Sequence, residues 1–225
     1  EEFMTLLAGR DIAIEIFPLD FKEFLEFKNF EIKKFNEVIV NENEIIALLR
    51  EYIEYGGFPE VVIEKNKEIK KEILKRYFET ILLKDVQKRF KIREITKLEF
   101  LANFYATNIA SLVSYKSLSK ILKIPDKTIE RYSKYLSISR VLFFIPRFSF
   151  SLKEREVSPR KVYFIDLGIP NTVGFKLFEN YGKAIENVVA INLISKYKKP
   201  FAEIFYLKIN DKEVDFVVKE GLNIK

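Results

Sequence analysis

The chain has 225 residues, enough for one large domain or two to three small ones. It contains neither Cys nor His, which excludes disulfides, thiolate or imidazole metal sites and Ser-His-Asp catalysis, and leaves only oxygen-ligated ions such as Mg²⁺, Mn²⁺ or Ca²⁺. The formal charge of +6 conceals an acidic head, residues 1–64 with 6 Lys/Arg against 15 Asp/Glu, and a basic middle, residues 65–161 with 24 against 10.

Such asymmetry points to an anionic partner for the middle, DNA first. An acidic partner protein, or self-association with the acidic head of a neighbouring subunit, would satisfy the same charge. Scarce Gln and Met beside abundant Lys and Glu suit a thermophile. No apolar run reaches the ~18 residues that span a bilayer, and no basic-then-apolar leader opens the sequence, so the expectation is a cytoplasmic protein with no membrane partner. The opening Glu1-Glu2-Phe3 and the close on Gly221–Lys225 read as cut ends of a longer polypeptide.

In chain order, Asp11–Phe17 alternates apolar and polar residues and predicts a half-buried strand stopped by Pro18. Asp20 is the expected N-cap of a short helix carrying Phe21, Phe24, Leu25 and Phe27. Asn41–Glu44 opens a second helix with Ile45, Ile46, Leu48, Leu49, Tyr52 and Ile53 as its apolar positions. Gly56-Gly57-Phe58-Pro59 breaks the chain; with no Gly-Lys-Ser/Thr after it, the glycine pair reads as a helix C-cap and turn. Residues 66–92 predict a long amphipathic helix, and Glu94–Ser114 a second one with an uncharged stretch fit for burial.

The most informative segment follows. Tyr115–Ile124 predicts a short helix with Leu118, Ile121 and Leu122 inward, Pro125-Asp126 a turn, and Lys127–Ile138 a second helix with Ile129, Tyr132 and Leu136 inward. Val141–Ile145 and Lys161–Ile165 predict strands joined by a basic hairpin. Two short helices, a tight turn and a β-hairpin describe a winged helix-turn-helix. Its second helix would present Lys127, Thr128, Arg131 and Lys134 outward, and the hairpin Arg147, Lys153, Arg155 and Arg160, side chains that suit phosphate and base-edge contacts. A winged helix can also serve as a packing or oligomerisation module. Downstream, Gly182–Lys196 predicts a helix, and Ile204–Lys208 with Glu213–Val218 a hairpin around Asn210-Asp211-Lys212. The fold class expected is therefore α+β: a helical segment, then a winged helix-turn-helix, then a truncated α/β module.

Five short motifs carry a resemblance. They are Leu7-Ala8-Gly9-Arg10 with Phe17–Leu25, Gly56-Gly57-Phe58-Pro59-Glu60, Lys161–Gly168, Gly182–Asn187, and Glu213-Val214-Asp215-Phe216. In that order they resemble the C-terminal portion of archaeal and bacterial AAA-superfamily ATPases with a domain of unknown function behind the ATPase. The resemblance implies the tail of an ATPase domain at 1–30, a helical linker or lid at 31–114, the winged helix at 115–165, and a truncated PD-(D/E)XK nuclease-like module at 166–225. It implies ATP and Mg²⁺ for the parent protein. No cofactor is expected in this chain, because the phosphate-binding loop would precede residue 1. Arg10 is the one residue that could belong to the nucleotide site, or it is a turn arginine. Glu186 and Asp215 would match the helix and strand acids of the nuclease pattern, whose Lys-bearing strand would follow Lys225, so no complete catalytic site is expected. The alternative is that Glu186 caps its helix and Asp215 pairs with Lys208 or Lys212.

Overall fold

A computed structural model describes residues 14–32, 35–174, 181–197, 202–210 and 212–225. Arg10, Asp211 and most of the expected first strand lie outside the described residues. The described end of that strand, Ile14 to Ile16, is not in a strand, and Ile14 and Ile16 are exposed. Alternation alone makes no strand without a neighbour to complete its hydrogen bonds.

The acidic half is helical: α1 Phe21–Phe27, α2 Phe35–Val40, α3 Glu42–Tyr55 and α4 Pro59–Ile63. A capping box starts α1, with the Asp20 carboxylate accepting from the Glu23 amide at 2.8 Å while the Glu23 carboxylate accepts from the Asp20 amide at 2.8 Å. Phe24 and Leu25 then pack on Val62 of α4. Asn41 stands at the N-cap of α3 but makes no side-chain cap bond.

α5 Lys67–Thr80 runs without a break into a π-helix, Ile81–Lys88, so the single long helix expected from the sequence changes its winding partway. The next helix, α6, ends at Thr107 rather than continuing to Ser114: it spans Ile95–Thr107, and Ser111–Val113 forms strand β1 instead. Leu101, Ala102, Tyr105, Ala106, Ile109 and Val113 of the uncharged stretch are buried while Phe100 and Leu112 are exposed, and a strand partner claims its last residues. β1 pairs antiparallel with β3, Arg160–Phe164, with Leu112 opposite Lys161.

The helix pair follows: α7 Tyr115–Leu122, a left-handed Lys123 and α8 Asp126–Ile138. β2, Leu142–Ile145, pairs antiparallel with β3, giving the sheet order β1-β3-β2. The connection from β2 to β3 holds a short helix, α9 Leu152–Val157, so it is not a simple hairpin. After β3 come α10 Gly168–Val173, α11 Tyr181–Lys196, and a second antiparallel sheet of β4 Ala202–Ile209, β5 Lys212–Glu220 and β6 Asn223–Ile224. The architecture is thus α+β, with two small antiparallel sheets among many helices. No helix among the described residues is long and apolar enough to cross a membrane.

One apolar core runs continuously from Ile53 in α3 through α5, α6 and α8 to Phe164 in β3 and Ala184 in α11. β3 is its pivot. Val162 and Phe164 face this core, while Tyr163, on the opposite face by strand alternation, enters a second core with Ala110, Ile145, Ala190 and Tyr206. Asn187 of α11 locks onto β3 by accepting from the Phe164 amide at 2.9 Å and donating to the Phe164 carbonyl at 2.8 Å.

The glycine turn is a joint between the acidic half and β3. Buried Asp166, just past β3, accepts from the Gly57 amide at 2.6 Å and the Gly168 amide at 2.8 Å. Gly56 has φ +79°, and a Cβ there would sit 1.8 Å from the Asp166 carboxylate. No other residue fits both demands.

Candidate nucleic-acid interface

The rotation of α8 follows from its apolar spacing. Ile129, Tyr132 and Leu136 are buried, as their period predicts, and each fully buried side chain of this kind contributes roughly 1.5–3 kcal/mol. That outweighs any preference of the charged face, so Lys127, Arg131 and Lys134 are turned outward and exposed, with Thr128 half-buried beside them. A polar interior contact reinforces the setting: the Tyr105 and Ser133 hydroxyls lie 2.6 Å apart, and Ser133 Oγ donates to the Ile129 carbonyl at 2.6 Å. On α7, Leu118 is buried, but Ile121, expected inward, is exposed. The helix ends one residue later at Leu122, too short for a second buried turn.

The basic side chains expected from the hairpin are differently placed. Arg147 donates to the Lys208 carbonyl at 2.7 Å and pairs with Glu154 at 3.5 Å. Arg155 donates to the Ser149 carbonyl at 2.5 Å and lies over the Phe205 ring, 4.8 Å from its centroid. Arg160 pairs with Glu156 at 2.8 Å. The second sheet pairs with the first residues of this connection: Phe148 donates its amide to the Tyr206 carbonyl at 2.7 Å, and Tyr206 returns its amide to the Pro146 carbonyl at 3.1 Å. Of the hairpin cations expected to meet a ligand, Lys153 is the exposed one without an ion pair among the described residues.

Glu186 and Asp215 are brought together, though neither by helix capping nor through Lys208 or Lys212. Both accept from Lys161 Nζ, at 2.8 Å each, and Glu213 joins them at 2.5 Å. Tyr163 donates its hydroxyl to Glu186 at 2.7 Å. Burial works against the Lys161 ammonium, but hydrogen bonds to Asp215, Glu186 and Glu213 outweigh it and hold the group above the usual lysine range. The Tyr163 phenol is pushed well up, by burial first and then by Glu186. Among the described residues, no acidic group is set to hold a metal ion. The three carboxylates neutralise a lysine that fastens the first sheet to α11 and the second sheet.

Lys161 is the residue that sequence reasoning passed over. Its signal was present in Lys161-Val162-Tyr163-Phe164: polar-tipped Lys161 and Tyr163 at alternate positions of a strand, with apolar Val162 and Phe164 between and after them. Glu213 and Asp215 repeat that spacing on β5.

Comparison with known proteins gives a family and no activity. The chain is 36% identical over 223 residues to an uncharacterized protein of Methanocaldococcus jannaschii, MJ1544, covering 97% of this chain and 49% of that protein. It is 29% identical over 226 residues to an uncharacterized protein of Haemophilus influenzae, covering 98% of this chain and 53% of the relative. The chain therefore spans about half the length of these relatives. No solved structure matches it. Residues 46–182, well over half the chain, match the family described as Domain of unknown function (DUF8612), and the chain belongs to that family.

Proposed function

We propose that the chain is a nucleic-acid-binding, regulatory region of a longer protein, with α8 as the docking helix of a winged helix-turn-helix. The observation that carries the reading is the pairing state of the cations. From Lys84 to Lys134 the chain carries twelve Lys or Arg side chains, and among the described residues only Lys97 has a carboxylate partner, Glu94 at 2.5 Å. On α5, by contrast, Lys71, Lys75 and Arg76 find Glu68, Glu79 and Glu60. Cations without carboxylate partners, among them Lys127, Arg131 and Lys134 on the outward side of α8, suit a polyanion whose phosphates supply the missing charge.

On the motif resemblance, the longer protein would be an AAA-superfamily ATPase with its ATP and Mg²⁺ site outside the chain. The nuclease-like reading of Glu186 and Asp215 draws no support from geometry, since Lys161 occupies the space between their carboxylates.

Fluorescence anisotropy with a labelled DNA duplex at several salt concentrations tests the proposal. The expected result is binding at low salt, with log affinity falling against log salt by about 0.9 per phosphate contacted. A Lys127→Ala/Arg131→Ala/Lys134→Ala variant should bind more weakly and with a shallower slope. Identical curves for wild type and variant would remove α8 from the interface. No binding at low salt would overturn the reading.

A second reading has its own observation. Phe150, Leu152 and Val157 on the β2–β3 connection are 85%, 74% and 75% exposed. An apolar tip of that kind suits a protein surface, and binding to protein in the absence of DNA binding would favour it.

A further inference from the structure

The pairing of a second helix with a β-hairpin directs attention to the side of α8 that faces the hairpin. The charges there point the other way. Between α7, α8 and α9 lies a shallow hollow that Asp126, Glu130 and Glu156 line, together with Lys116 and an Arg160 already engaged by Glu156. Asp126 and Glu130 stand one turn apart on α8, so that flank presents carboxylates to any incoming phosphate.

The opposite flank is built differently. Lys127, Arg131 and Tyr135 recur every four residues and share one face of α8. The Tyr135 ring stacks on Phe90, with ring centroids 3.9 Å apart and planes within 3°. Phe90 is the centre of Lys88-Arg89-Phe90-Lys91-Ile92-Arg93, the turn that closes the π-helix. Ile92 is buried in the main core, which fixes the turn from its other side. Lys88, Arg89, Lys91 and Arg93 are therefore held against α8 with exposed side chains, and none has a carboxylate partner among the described residues.

We infer that the polyanion is held across α8 and the Lys88–Arg93 turn, and not across α8 and the hairpin. This rests on the nucleic-acid reading above and relocates its second point of attachment. The turn contributes phosphate contacts that add affinity and salt dependence without reading sequence. The Phe90–Tyr135 stack fixes the spacing between the turn and the helix.

The test uses the same anisotropy titration with two further variants. Lys88→Gln/Arg89→Gln/Arg93→Gln leaves Lys91 in place, because its backbone is left-handed at φ +52°. Lys153→Gln probes the hairpin. The expected result is a salt slope reduced in magnitude by roughly 2–3 for the turn variant, about 0.9 for each phosphate no longer neutralised, and no change for Lys153→Gln. A turn variant indistinguishable from wild type, while the α8 variant is weakened, overturns this inference and leaves the reading it rests on intact. Absence of any binding by wild type overturns both. Should the turn variant fold poorly, acetylation of wild type read by mass spectrometry gives an independent answer. DNA should protect Lys88, Lys91, Lys127 and Lys134 and leave Lys153 reactive; protection of Lys153 with Lys88 left reactive would place the partner on the hairpin.

Discussion

Lys161 and Lys127 are the same residue type used in opposite ways. Lys161 is almost wholly buried, and its ammonium is met by three carboxylates from α11 and β5, of which Glu186 is the most buried and Asp215 is half exposed. Lys127, with its neighbours Arg131 and Lys134, is exposed and has no carboxylate partner among the described residues. The first holds together elements far apart in the chain; the second contributes little to the fold and is free to serve a partner. A basic composition therefore says little until each cation is assigned to one of these uses. Asp166 is a third case: a buried carboxyl whose hydrogen-bond donors are backbone amides rather than a cation, so burial favours its neutral form where it cannot do so for Lys161.

Of the two lysines, Lys161 should be the one whose loss the fold feels most. Lys161→Ala should destabilise the chain by roughly 1–3 kcal/mol, because three crowded carboxylates lose their counter-ion and only the more exposed ones regain water. The loss should persist at high salt, since buried pairs are poorly screened, whereas DNA affinity should fall steeply in the same range. Urea denaturation at low and high salt measures it; a change below about 0.5 kcal/mol would mean that the cluster is merely tolerated.

Asp166 gives the next effect. Burial raises its pKa to about 7, against the opposing pull of the Gly57 and Gly168 amides. The unfolded carboxyl titrates near 3.8, so the folded state prefers the proton. The stability this contributes is complete below about pH 4 and is lost as pH rises through about 7, by on the order of a few kcal/mol. Asp166→Asn cannot ionise, though its amide donates where an acceptor is wanted and should destabilise at every pH. The difference in unfolding free energy between wild type and Asp166→Asn should therefore narrow between pH 4 and 7. A difference constant across that window would show that the carboxyl is ionised throughout.

The smallest effect is the counterpart of the first. Removing Lys127, Arg131 and Lys134 together should shift stability by no more than about 0.5 kcal/mol, because exposed side chains outside special contacts contribute little. A large fall in melting temperature would return these residues to the fold and weaken the case for an interface.

What the sequence by itself determined was local. The spacing of Ile129, Tyr132 and Leu136 set which face of α8 is outward, Asp20 and Glu23 set the start of α1, and the Gly56-Gly57 pair announced a turn that other residues could not make. These follow from helical period, capping and φ, which act within a few residues. The non-local decisions belonged to the tertiary structure. β1 replaced the end of a helix because β3, far along the chain, offered it hydrogen bonds. Arg147 met the Lys208 carbonyl and Arg155 the Phe205 ring because the second sheet packed against the start of their connection. Glu186, Glu213 and Asp215 met Lys161 instead of nearer lysines, and Phe90 met Tyr135. Periodicity says which side of an element is inward, but a charge's partner depends on what the packed elements bring within a few ångströms, and that distance exists only after folding.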